Sequence, residues 1–139
     1  MSEAIGNDVL TEGTAGRLRE LRTSLLRLHK VLLDGEREYY EAARGRVSPG
    51  ELLQLAINDP QFAWLRALSA LVVQIDEALD PKEPATEAGA AALLSQSRQL
   101  LKPSEDGSEF ARRYFAALQR EPAAVLAHRE ATLLLSGNG

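Results

Sequence analysis

Between residues 14 and 44, Leu18, Leu21, Leu25, Leu28, Leu32, Gly35 and Tyr39 follow one another at spacings of three and four. An α-helix brings such positions to one face, because its turn takes 3.6 residues. The seam lasts about three heptads. At about 1.5 Å per residue, the helix it predicts is roughly 45 Å long. A helix that long, apolar along one stripe, must bury the stripe against other helices. Gly45 follows the last turn and stops it.

The rest of the chain is punctuated in the same language. Ser48-Pro49-Gly50-Glu51 combines a cap, a proline suited to the first helical position and a glutamate placed for a capping box, so a short helix is predicted over residues 51–57. Asp59-Pro60 predicts a third helix running to Leu79, with Trp64, Leu68, Leu71, Ile75 and Leu79 on one face. Pro81 and Pro84 break the chain, and Thr86 caps a fourth helix to about Leu101. A fifth is predicted over residues 108–120, with Phe110, Tyr114 and Leu118 spaced by four. Pro122 either kinks it or opens a sixth, which ends before Gly137. No stretch alternates with period two long enough to be a strand. The expected fold is all-α: an antiparallel bundle of about four main helices, with a short connecting helix and a C-terminal helix packed outside. Residues 1–13, with Gly6, Asn7 and Gly13, are expected to be a flexible lead-in to one domain over residues 14–136.

Composition removes several classes of function. Cysteine is absent, so disulfides, thiolate metal sites and cysteine nucleophiles are excluded. A formal charge of -4 argues against general binding to nucleic acid or anionic membrane. Apolar runs are too short to span a bilayer, and the first residues show no basic-then-apolar signal, which predicts a cytoplasmic protein. The two histidines, His29 and His128, follow Leu26 and Val125 at three residues' distance, so the Glu-x-x-His pairs of a di-iron bundle are missing. No metal and no cofactor is expected. Phosphate loops, nucleophile elbows and zinc-protease motifs are missing too, so no catalytic residue is assigned. Arg112-Arg113-Tyr114 is a small basic patch, but Glu105, Asp106 and Glu109 just upstream make it a solvated face.

The first helix carries the main candidate site. At about 100° per residue its leucine seam spans about 80°, and Arg22, His29, Glu36 and Tyr40 fall on or beside that arc. Arg22, His29 and Glu36 recur every seven residues, about 10.5 Å apart along the axis. Glu36 and Tyr40, four apart, are placed to touch. Asp76 on the third helix is the expected partner of His29 or Arg22, and Trp64 is expected in the core near this stripe. Such a stripe could bind a polar ligand, and these six residues form the candidate ligand set. It could equally be a satisfied network that sets helix register. Gly35, where glycine costs about 1 kcal/mol relative to alanine, implies close approach of another helix, with Trp64 a candidate neighbour, or room for a ligand.

Residues 28–36, Leu-His-Lys-Val-Leu-Leu-Asp-Gly-Glu, and residues 57–66, Ile-Asn-Asp-Pro-Gln-Phe-Ala-Trp-Leu-Arg, resemble segments of an uncharacterised group of small helical bacterial proteins. The resemblance extends from about residue 17 and implies an all-helical fold in a bacterial cytosol. It implies no activity and no functional residue. Two functions are therefore expected: a non-catalytic interaction or regulatory module, acting on a protein partner or by self-association, possible as a homodimer; or a small-ligand- or cofactor-binding bundle built on the polar stripe.

Overall fold

The computed structural model describes residues 8–136. Its helices are α1 (Glu12–Arg44), α2 (Pro49–Asn58), α3 (Arg66–Leu79), α4 (Glu87–Leu100), α5 (Glu109–Arg120) and α6 (Pro122–Ser136). A 3₁₀ turn, Ala63–Leu65, leads into α3. No strand occurs among the described residues; an isolated bridge joins Val9 to Thr86. The fold is all-α.

Four of the helices start where a side chain accepts an orphaned backbone N–H. Thr11 accepts from Thr14 N, Thr86 from Gly89 N and Ser108 from Ala111 N. Ser48 and Glu51 form the full reciprocal capping box ahead of α2. Gly45 ends α1 with φ at 93°, a conformation a β-carbon would strain, while its N–H reaches Glu41 O at 2.8 Å.

Three expectations need correction. The third helix does not begin at Pro60. The Asp59 carboxylate takes Gln61 N at 2.8 Å, and i→i+3 bonds from Phe62, Ala63 and Leu65 tighten the chain before α3 opens at Arg66. That turn drives Phe62 and Trp64 inward, at 1% and 4% exposure. The lead-in, of which residues 1–7 lie outside the described residues, is tied down from Asp8 on. Glu87 N donates to Asp8 O, Ala88 N to the Asp8 carboxylate, and Thr11 N to Glu87 Oε2 at 2.7 Å. The C-terminal helix is not packed outside. α6 is the most extensive neighbour of α1, ahead of α3.

α1 is thus the central element, flanked on both sides by antiparallel helices. Along α6, Arg17 bonds the carbonyls of Leu134 and Leu135, Arg27 pairs with Glu130 at 2.7 Å, and Gly35 faces Glu121. Ala124, Ala127, Ala131 and Leu135 form the buried face of α6, and their small size lets it lie close. The α1 seam Leu18, Leu21, Leu25, Leu28 and Leu32 is 0–2% exposed. It meets Leu68, Leu71 and Ile75 of α3 in one core, which Phe110 and Tyr114 of α5 close. The seam ends at Gly35 and Glu36. Tyr39, assigned to it from sequence, is 65% exposed, and no residue of α1 beyond Glu36 is buried.

Candidate functional site

The polar stripe of α1 meets α3 and the turn before it in three separate places. At the far end, Arg22 forms an ion pair with Asp76, both side chains about half exposed. So Asp76 partners Arg22 rather than His29. In the middle, His29 Nε2 lies 3.0 Å from the Ser69 hydroxyl. At the near end, Glu36 is buried at 6% exposure and its carboxylate is well supplied with donors. Gln61 Nε2 donates to Glu36 Oε1 at 2.9 Å and to the Glu36 carbonyl at 3.2 Å. Trp64 Nε1 donates to Oε2 at 3.2 Å, and Arg120 of α5 stands 3.8 Å away. A buried carboxylate needs such company, since an unpaired one costs several kcal/mol.

Tyr40 is not a partner of Glu36. Its ring packs 6.0 Å from Phe62, under the Arg44 guanidinium at 5.2 Å. Trp64 lies in the core as expected, with its ring 5.3 Å from Phe110. Gly35 approaches Glu121, at the junction of α5 and α6, rather than Trp64. A β-carbon there would sit 3.2 Å from the Glu121 carboxylate. Gln61, Ser69 and Arg120 were not singled out from sequence. The Asp59-Pro60-Gln61 turn signal placed Gln61 near a helix start, but nothing in the sequence aligned α5 with the end of α1.

The six candidate residues therefore do not converge on one cavity. His29 lines a groove of about 340 Å³ together with Ile57 of α2 and Phe62, Leu65 and Arg66. Tyr40 lines a different one, of about 310 Å³, with Tyr39 and Arg44. Burial holds the His29 imidazole below its ordinary value of 6.5. A further polar pair sits between α5 and α6, where the Tyr114 hydroxyl is 2.5 Å from His128 Nδ1. Among the described residues no cluster of His, Asp or Glu is placed to hold a metal ion. None of the described helices is long and apolar enough to cross a membrane.

One helix departs from the rest. Half of α2 is apolar — Leu52, Leu53, Leu55, Ala56 and Ile57 — yet α2 buries no residue. Leu53 is 59% and Ile57 53% exposed. Leu52, Leu55 and Ala56 are half-buried, so inward packing accounts for part of this composition but not for Leu53 and Ile57, and the fully formed cap supports the helix locally.

Fold and site define an all-helical protein whose α1 stripe is engaged internally and whose α2 is left open. No protein-family model, curated protein or solved structure matches this chain.

Proposed function

We propose that the chain is a non-catalytic interaction or regulatory module, working in a bacterial cytoplasm, that offers a protein partner the apolar outer face of α2. The carrying observation is the short helix itself: ten residues, fully capped, half apolar and with none buried. An isolated helix of that length is marginal in water, and most helices in proteins are stabilised by packing an apolar face. A partner that covered Leu53 and Ile57 would supply that packing. The formal charge of -4 supports a protein partner over a polyanion. The rival reading, a ligand site built on Arg22, His29, Glu36 and Tyr40, has less support, because each of these side chains already has a protein partner.

The first partner to test is a second copy. The last two turns of α1 run beyond its final buried residue, Glu36, and α2 follows them. A two-fold pairing could cover both at once. Light scattering at tens of micromolar should give the mass of a dimer, and a photo-crosslinker at Gln54 should join two copies. Leu53→Glu should abolish both signals. A monomer mass with no crosslink would count against self-pairing.

A further inference from the structure

We propose that the groove between α2 and the α1–α3 pair is a binding site for a small monocarboxylic acid with an unbranched apolar body. The groove is concave, about 340 Å³, and predominantly apolar. It is within the size range of small-molecule sites, which combine apolar walls with a few convergent polar groups. Ile57, Phe62 and Leu65 supply walls. Three polar side chains converge on the same space: His29, Ser69 and Arg66.

The charge of the ligand follows from Arg66. A guanidinium carries five N–H donors in a planar fork suited to a carboxylate. Here it donates to the Ile57 carbonyl. No acidic side chain pairs with Arg66 among the described residues, and none lines the groove. The groove therefore presents a positive charge beside apolar walls. His29 faces it as a neutral ring, because its Nε2 is engaged with Ser69 and burial disfavours its protonation. A carboxylate on Arg66 with a hydrocarbon chain laid along Ile57, Phe62 and Leu65 satisfies both halves.

Ile57 belongs both to the docking face of α2 and to this groove, but Leu53 does not line the groove, so the inference stands apart from that face at Leu53. The test is an NMR titration of the full chain with octanoate, octanol and octylamine. Octanoate should shift the amides of Ile57, Phe62, Arg66 and Ser69 and saturate below a millimolar. Octanol should bind at least tenfold more weakly, and octylamine should not bind. Arg66→Gln removes the charge, and it should weaken octanoate at least tenfold while leaving octanol unchanged. Ala56→Phe fills the groove and should abolish the response in a protein whose spectrum is otherwise native. Leu53→Glu should leave octanoate binding as it is, so a failed dimer and a failed site are told apart. Non-saturating shifts, shifts centred elsewhere, or equal binding of octanoate and octanol would overturn the assignment.

Discussion

His128 and Tyr114 show how single residues set the response of this protein to pH. Burial pushes the Tyr114 hydroxyl well above its ordinary value, so it stays protonated, and it shares a hydrogen bond of 2.5 Å with His128 Nδ1. Partial burial holds both His128 and His29 below 6.5. Their folded pKa values are lower than their unfolded ones, so near pH 6 the unfolded chain binds more protons and stability rises with pH. The contribution is complete above about pH 6.5 and is lost as pH falls from there through the folded values. Thermal melts should therefore show a midpoint that drops between about pH 7.5 and 5.5. Replacing both histidines with glutamine should flatten that slope, and an unchanged slope would mean neither imidazole is protected in the folded state. Glu87 acts in a different window. Its carboxylate is held below 4.5, chiefly by the Thr11 backbone N–H, so its contribution is lost only in stronger acid.

Helices differ in how plainly their residues announce them. The leucine seam of α1 and the caps at Ser48 and Thr86 could be read directly, because periodicity and capping are local signals. The placement of α6 could not. Its buried face is Ala124, Ala127 and Ala131, while Val125, Leu126 and Leu133 face solvent at 45–67% exposure, so apolar size pointed to the wrong side. The stripe on α1 was legible as a position on a wheel, but its partners were not. Gln61 and Arg120 reach Glu36 from elements whose docking depends on the whole fold. Two substitutions test elements separately. Ser48→Ala removes the α2 cap, worth about 1 kcal/mol. Because α2 buries no residue, hydrogen exchange should speed up in its amides while the global unfolding midpoint stays put. A global loss would mean α2 is part of the cooperative core. Gly35→Ala gains helix propensity of about 1 kcal/mol, and the atoms nearest its new β-carbon belong to the Glu121 side chain, at 3.2–3.4 Å. Thermal unfolding should show a modest net gain, about 0.5 kcal/mol; a loss would mean Glu121 is unable to move aside.

At the scale of the molecule, structural and functional polarity lie in different places. Along α1 the Arg22–Asp76 pair, the His29–Ser69 contact and the Glu36 cluster join the helix to α3 and to the turn before it, and with the core they fix its register. The outer pair is half exposed and adds little, typically 0–1 kcal/mol. Glu36 is different, since its removal strands the buried Trp64 N–H and a Gln61 amide. Leu53 of α2, by contrast, is 59% exposed and packs little within one copy. Residues kept for function are commonly neutral or costly to stability, whereas residues kept for structure are not. The most direct measurement is therefore urea unfolding of Glu36→Leu and Leu53→Glu beside the parent, at a concentration low enough to keep the chain monomeric. Glu36→Leu should lose about 2 kcal/mol, and Leu53→Glu should stay within about 0.5 kcal/mol of the parent. The account would be contradicted by the reverse: a Glu36→Leu protein as stable as the parent or more so, and a Leu53→Glu protein that unfolds early.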